Sequence, residues 1–287
     1  MSKPVERLQS SARSLAAGNL EARAGEEFSR RRDELGVLAR DFDVMADHLR
    51  NLIASKEDLL RGMSHELRSP LARLRVALGL ARRPREDVAR QLDRIELEAE
   101  RLDMLIGQML QLSQLRAAQP TTLREPVELT TLLGEVVDDG RIEASVSNKQ
   151  VEWAPSGGLV VEGDPRLLRS AIENVLRNAI RFTAPGTAVS VRLTYVEPLA
   201  RIVIEDHGPG VPEEELERIF EPFYRVAESR DRDSGGTGLG LAITASIVTL
   251  HGGRVLAKNL QERGLRVEIE LPARPVVALE RGEAAAA

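Results

Sequence analysis

Residues 60–78 read LRGMSHELRSPLARLRVAL. On a helix turning ~100° per residue, Leu60, Leu67, Leu71, Leu74 and Leu78 fall within one narrow arc, and His65 lies roughly 160° from its middle. The leucine arc reads as a helix-pairing face. His65, with Glu66 directly beside it, is turned toward water and is not a core residue. Pro70 removes a helical N–H five residues later, so the helix is expected to bend or loosen there.

The same periodicity extends in both directions. Upstream, Leu35, Leu38, Phe42, Met45, Leu49 and Leu52 recur at steps of three and four, an a/d seam on a helix that opens at Asp33-Glu34-Leu35-Gly36. A shorter helical stretch before it ends at Ala16-Ala17-Gly18-Asn19, which makes a helix–connector–helix order. The upstream seam slips by four residues before the Leu60 stripe begins, a stutter that changes supercoiling locally and is a place where rotation can be passed on. Downstream, Val88, Leu92, Ile95, Ala99, Leu102, Ile106, Met109 and Ser113 define a second long helix. The intervening Arg82-Arg83-Pro84-Arg85-Glu86-Asp87 has room only for a reversal, so the two helices should form an antiparallel hairpin. A lone hairpin leaves one apolar side open. Two copies packed as a four-helix bundle would cover it, and a homodimer is expected.

Composition narrows the classes. With 287 residues, about two domains or more are expected, and 30% charged against 3% aromatic residues favours long exposed helices over a large aromatic core. The net charge of -5 arises from 40 basic and 45 acidic residues mixed along the chain. The clusters Arg30-Arg31-Arg32 and Arg82-Arg83 read as solvated helix ends, and nucleic acid is not an expected partner. There is no cysteine and there are four histidines, which excludes disulfides and thiolate metal sites and gives no support for zinc. The longest fairly apolar stretch, Leu239 to Leu250, is far short of the ~20 residues that span a bilayer. The chain is expected to be soluble as given, and its abrupt start fits the cytosolic remainder of a longer protein.

After Gln119-Pro120 the pattern changes. Val189, Val191, Leu193 and Tyr195 alternate as a half-buried strand, and Ile202-Val203-Ile204 and Leu265–Leu271 also read as strands. Helices are expected near Leu129–Ser145, Arg166–Phe182 and Leu239–Leu250, which together describe an α/β sandwich with helices on one face of a sheet. Asp164-Pro165 supplies an N-cap and a first-turn proline for the middle helix. On it, Asn174 and Asn178 are four apart on one face, and their amide oxygens suit a magnesium ion already neutralised by phosphates. Asp206-His207-Gly208-Pro209-Gly210 follows a strand directly and puts a carboxylate beside flexible backbone, with His207 as a loop residue. Gly235-Gly236-Thr237-Gly238-Leu239-Gly240-Leu241 opens a helix, an arrangement in which backbone N–H groups and the helix dipole hold phosphates. It lacks the Gly-Lys-Ser/Thr ending of a P-loop and the third glycine of a dinucleotide fingerprint. The stretch Phe220–Ser234 before it is placed to cover a nucleotide.

Taken in order, SHELRSP, ENVLRNAIRFT, DHGPG, EPFYR and GGTGLGL resemble the H, N, G1, F and G2 boxes of sensor histidine kinases, and the details look most like those of Cpx-type envelope-stress kinases. The match covers about 53 to 271, and the segment before it is similar to a HAMP signal-relay module. The resemblance implies a HAMP-like module at 1–52, a dimerisation and histidine phosphotransfer domain at 53–118, a linker at 119–127, a catalytic domain of the Bergerat (GHKL) ATP-binding fold at 128–272 and a disordered tail at 273–287. It implies a phosphorylated His65 with Glu66 as general base. Asn178 and Asn174 would meet magnesium and Arg181 the phosphates. Phe182 would face the base, and Asp206 would bind the adenine amine beside Gly208 and Gly210. Gly236, Gly238 and Gly240 would shape the lid, in which Arg232 would neutralise the transferring phosphoryl group. ATP and magnesium would be the cofactors, a homodimer and a response-regulator receiver domain the partners, and the location the cytoplasmic side of a bacterial inner-membrane sensor. Ser69 stands where many relatives have threonine or asparagine for dephosphorylating the regulator; serine keeps the hydroxyl and loses the methyl that restrains its rotamer. Two other readings are an ATPase of the wider gyrase and Hsp90-type family doing conformational work, which leaves His65-Glu66 without a role, and a non-catalytic dimeric scaffold, against which the intact nucleotide boxes count.

Overall fold

The computed structural model describes residues 3–25, 28, 31, 33–82, 87–117, 125–155, 157–226 and 236–276. The chain divides into two units, Met1–Leu67 and Arg68–Ala287. In the first, α1 (Lys3–Ala16) ends where expected, with the N–H of Gly18 donating to Leu15 and that of Asn19 to Ser14. The helix α2 (Glu34–Ala81) opens inside the Asp33–Gly36 stretch. Asp33 Oδ1 accepts the Gly36 N–H at 3.2 Å, and the Arg31 guanidinium holds the Asp33 carboxyl down at about 2. A Cβ on Gly36 would lie 2.4 Å from the Arg31 carbonyl oxygen, so this close backbone approach requires glycine.

The core of this unit is Leu15, Ala24, Phe28, Ala39, Phe42 and Ala46, with Leu35 packed against it. The expected seam is therefore split. Leu38, Met45 and Leu49 are exposed, while Ala39 and Ala46 are buried; the side chain of Leu52 lies outside those described. The physical reason is that α1 and the connector, from the same chain, cover one side of the stripe. Small alanines let the connector approach, and the carboxylates of Asp43 and Asp47 hold it through the Ala24 N–H at 2.8 Å and the Arg23 guanidinium at 2.6 Å. The expected loosening at Pro70 does not end α2, which runs 48 residues through both the stutter and the proline. Pro70 is buried, and the single missing N–H is outweighed by the intact turns on either side.

In the second unit, α3 (Val88–Ala117) runs opposite the end of α2. Of the expected reversal, Arg83, Pro84, Arg85 and Glu86 lie outside the described residues. The buried face of α3 is Gln91, Glu98, Leu105 and Leu112, spaced by sevens, with Met109 and Leu115. The expected seam residues Val88, Leu92 and Ile106 are exposed, because the stripe read from sequence merges a face packed within the chain with one that is open in a single copy. Glu98 links the two helices. Burial pushes its carboxyl pKa up, but Arg73 and Arg101 outweigh this and hold it below the usual range. The Glu98 Oε2–Arg73 contact at 2.8 Å is an ion pair without hydrogen-bond alignment.

The α/β part contains β1 (Glu125–Glu128), α4 (Leu129–Ser145), β2 (Gln150–Ala154), β3 (Leu159–Gly163), α5 (Pro165–Phe182), β4 (Ala188–Val196), β5 (Leu199–Glu205), α6 (Gly240–Leu250), β6 (Arg254–Asn259), β7 (Leu265–Pro272) and β8 (Arg274–Pro275). One sheet has the order β1-β3-β8; the larger has β2-β4-β5-β7-β6, with only the β2–β4 pair parallel in it. Two expected edges shift. Residues 125–127, read as linker, pair with β3, and Arg274–Pro275, read as tail, pair with its other side. Both are too short and too rich in proline to show strand periodicity. Residues 277–287 lie outside the described residues.

Strand alternation separates two faces of the large sheet. Val189, Val191, Leu193, Ala200, Ile202, Ile204, Val267, Ile269 and Leu271 face α4, α5 and α6 and form one core with them. The opposite face is ionic. Glu205 bridges Arg192 and Arg266, and Glu270 bridges Arg201 and Arg254. Hydrogen bonding from Arg254 outweighs burial and holds the Glu270 carboxyl below its ordinary 4.5. A lowered folded pKa stabilises above the unfolded value and is lost as pH falls through the folded one. Glu270→Gln should therefore lose about 1 kcal/mol at neutral pH, and urea unfolding midpoints should show parent and variant converging as pH falls below 4.5.

Candidate functional site: a cleft beside the middle helix

The amphipathic division of α5 builds the site. Leu168, Ala171, Ile172, Val175, Leu176, Ala179 and Ile180 are buried against the sheet. The opposite face carries Asn174, Arg177, Asn178, Arg181 and Phe182, which line a cavity of about 910 Å³. The helix is fixed at both ends. Asp164 Oδ1 accepts the Arg166 and Leu167 N–H groups, and Lys149 Nζ donates to the carbonyls of Ile180 at 2.7 Å and Arg181 at 3.0 Å. His251, at the end of α6, ties that helix to the start of α5: its Nε2 accepts the Asp164 N–H at 3.0 Å while Nδ1 contacts the Ile247 carbonyl at 2.7 Å.

Asp206 lies at one side of the cavity, 4% exposed. Its Oδ1 accepts the N–H of Gly208 at 2.7 Å and of Leu265 at 3.2 Å. Oδ2 accepts no hydrogen bond among the described residues, so it is the oxygen available to a donor in the cavity. Burial raises the Asp206 pKa, with the backbone bonds working against it. A Cβ on Gly208 would lie 2.7 Å from the Phe182 carbonyl oxygen, so the loop touches the end of α5 only because this residue has no side chain. Thr183 Oγ1 accepts the His207 N–H at 3.0 Å and fastens the same loop.

On another side, Arg181 stacks on Phe182 with its guanidinium carbon 5.0 Å from the ring centre, and packs against Gly236. Burial lowers the Arg181 pKa and the charge of Arg225 adds to this, so two guanidiniums converge on one cavity. Such an arrangement is stabilised by an anion. Gly236, Gly238 and Gly240 all line the cavity, and Gly238 accepts the Phe223 N–H at 2.8 Å, joining the glycine stretch to the Phe220–Val226 segment. Arg232 and the rest of 227–235 lie outside the described residues. Among the described residues no cluster of three His, Cys, Asp or Glu side chains could hold a metal. The amides of Asn174 and Asn178 are the hard oxygen donors on the α5 face, a set that fits magnesium only when phosphates supply the charge.

The structure thus brings together Asn174, Asn178, Arg181, Phe182, Asp206, Gly210, Gly236, Gly238 and Gly240 around one cavity, while Gly208 does not line it and packs against the end of α5. His65, Glu66 and Ser69 are carried by α2. His65 is exposed and Glu66 half-buried. Ser69 is exposed, and its hydroxyl accepts from Arg73 at 2.7 Å. Sequence reasoning missed Met104 and Gln108 of α3, which also line the cavity; Thr237 Oγ1 donates to Gln108 Oε1 at 2.6 Å. Their spacing reads only as helix packing.

Three family profiles match the chain in succession: the HAMP domain at 1–51, the His Kinase A (phospho-acceptor) domain at 55–118, and the Histidine kinase-, DNA gyrase B-, and HSP90-like ATPase at 163–275. The chain belongs to the sensor histidine kinases. It is 38% identical over 273 residues to the sensor histidine kinase CpxA of Escherichia coli strain K12, covering 95% of this chain and 58% of CpxA. It is 33% identical over 274 residues to the signal transduction histidine-protein kinase BaeS of the same strain, covering 94% and 57%. The chain therefore spans less than two thirds of these relatives. The structure of full-length ShkA in complex with AMPPNP is similar with a TM-score of 0.56 at 26% identity, covering 77% of this chain and 46% of ShkA. No helix among the described residues of this sensor histidine kinase is long and apolar enough to cross a membrane.

Replacing Asp206 by Asn keeps the acceptor for Gly208 and Leu265 and removes a carboxylate whose ionisation burial disfavours. A raised folded pKa means that stability falls as pH rises through it. Asp206→Asn should therefore melt no lower than the parent at neutral pH, while adenine-nucleotide affinity measured by calorimetry falls at least about tenfold.

Proposed function

We propose that the chain is an ATP-dependent protein-histidine kinase that phosphorylates its own His65 and passes the group to an aspartate of a response regulator. The observation that carries this reading is a cavity lined together by a buried acceptor, Asp206, a pair of guanidiniums and two helix amides. That inventory suits a nucleotide with its base amine at Asp206 Oδ2, its ring against Phe182 and its phosphates at Arg181 and the N-terminal end of α6. ShkA, structurally similar, is described in complex with the ATP analogue AMPPNP.

Asn178, with Asn174, would hold magnesium, which supplies charge neutralisation on the phosphates. A nitrogen of the neutral His65 imidazole attacks the terminal phosphorus in line. The new N–P bond forms as the bond from that phosphorus to the ADP oxygen breaks, and Glu66 accepts the proton from the other ring nitrogen. Catalysis here rests on positioning and charge, with little covalent help required. Arg232 of the lid would contribute to that neutralisation. Ser69 would orient water for dephosphorylation of the regulator, its hydroxyl steadied by Arg73.

The open apolar residues fit two copies of the chain. Leu60, Leu71 and Leu78 of α2 and Val88, Leu92, Ile106 and Leu110 of α3 are exposed in one copy, and a dimeric four-helix bundle would bury them. In this reading the signal-relay module occupies 1–52, the bundle 53–118 and the catalytic domain the region from about 128 to 272, on the cytoplasmic side of a bacterial inner-membrane sensor.

Incubation with labelled ATP and magnesium should give acid-labile, base-stable phosphate on the chain. His65→Gln should incorporate none; label retained in that variant would refute the proposal. Asn178→Ala should keep its helical circular-dichroism signal and lose phosphorylation by at least about a hundredfold.

A further inference from the structure

The exposed hairpin joining β6 to β7 meets the Asp206 loop at two points. At the start of the loop, the Leu265 N–H donates to Asp206 Oδ1 and the Asp206 N–H donates to the Leu265 carbonyl at 3.0 Å. At its end, the side chain of Asn259 takes both polar groups of Val211: the Val211 N–H donates to Asn259 Oδ1 at 2.9 Å, and Asn259 Nδ2 donates to the Val211 carbonyl at 2.6 Å. The amide orientation follows from this pairing, because turning it over would set donor against donor and acceptor against acceptor. A side-chain amide thus pairs with Val211 in the way a neighbouring strand would.

The loop so gripped contains Gly208 and Gly210, and Asp206, Gly210 and Val211 all line the cavity. Between its two anchors stand His207, Gly208, Pro209 and Gly210, Val211 packs at the edge of the core, and Asn259 is exposed. Its two hydrogen bonds give the far end of the loop a directional restraint that the packing of Val211 does not supply. Sequence reading sees only an asparagine before a turn, 48 residues from its partner.

We propose that Asn259 is a positioning residue for base selection: by clamping Val211 it keeps the Asp206–Val211 loop, and with it the free carboxylate oxygen of Asp206, where an adenine amine meets it. This rests on the reading of Asp206 as the adenine acceptor. Adenine offers a donor to that oxygen and guanine offers a carbonyl acceptor, so discrimination depends on how firmly the oxygen is held. Loss of the clamp loosens the base end of the site and leaves the phosphate end, built from α5 and α6, as it was.

The test is competition of a fluorescent ADP analogue from the full chain by ADP, GDP and ATP. For Asn259→Ala, ADP should bind about tenfold more weakly. The preference for ADP over GDP should shrink, and the ratio of ATP to ADP affinity should stay at its parental value. Unchanged ADP affinity and preference would overturn the proposal. So would equal weakening of ADP and GDP, the mark of general loosening. If Asn259→Ala does not unfold cooperatively, Asn259→Asp decides in its place, since it keeps the acceptor for the Val211 N–H and loses the donor to its carbonyl. A reduced adenine preference supports the assignment and a parental one overturns it. A parent chain that binds neither ADP nor ATP would overturn the nucleotide reading together with this one, whereas a parent that prefers ADP and an unaltered variant would remove only the role of Asn259.

Discussion

Asp206 keeps a carboxylate almost out of water with two backbone N–H groups on one oxygen and no arginine or lysine partner among the described residues. Burial of a charge on those terms is unfavourable and persists only where the surroundings hold it. Here the surroundings are extensive. Thr183 fastens the next residue, the glycine at 208 allows contact with the end of α5, and the β6–β7 hairpin ties both ends of the loop. The remaining oxygen of Asp206 is thereby left for a donor from outside the chain, and the rest of the α/β part can be understood as the frame that keeps it so.

That frame uses charge in two opposite ways. On the outer face of the large sheet Glu205 and Glu270 are each matched to two arginines, which hold both carboxyls below their ordinary pKa although they are largely buried. In the cavity, Arg181 and Arg225 face the same space, and burial together with the charge of Arg225 lowers the affinity of Arg181 for a proton. Paired opposite charges stabilise the sheet, and like charges converging on a cavity prepare a place for an anion. The difference lies in the neighbours, since arginine is the residue in both places.

Much of this was legible beforehand. The helices at 129–145, 165–182 and 240–250 and the strands around 191, 203 and 267 follow from period, capping and proline placement. The N-cap at Asp164 is visible as a dipeptide, and the boxes containing Asn174, Asn178, Asp206 and Gly236 are local in sequence. The helical stripes were read less well. Leu38 and Phe42 sit on one periodic seam, yet Phe42 is buried by the chain's own connector and Leu38 is open. Periodicity finds an apolar face and does not say which part of it the same chain covers. The edge strands at 125–128 and 274–275 were missed because two to four residues with proline carry no period.

The sequence by itself determined which segments are helical and gathered the candidate site residues into short local boxes, because capping, periodicity and glycine placement act over a few residues. Only the tertiary structure decided which oxygen of Asp206 takes the backbone N–H groups, that Gln108 and Met104 enter the cavity wall, and that Asn259 holds Val211 across 48 positions. These depend on directions in space between distant backbone groups. A single hydrogen bond between remote residues leaves no periodic trace, so nothing along the chain announces it before the sheet and helices have assembled.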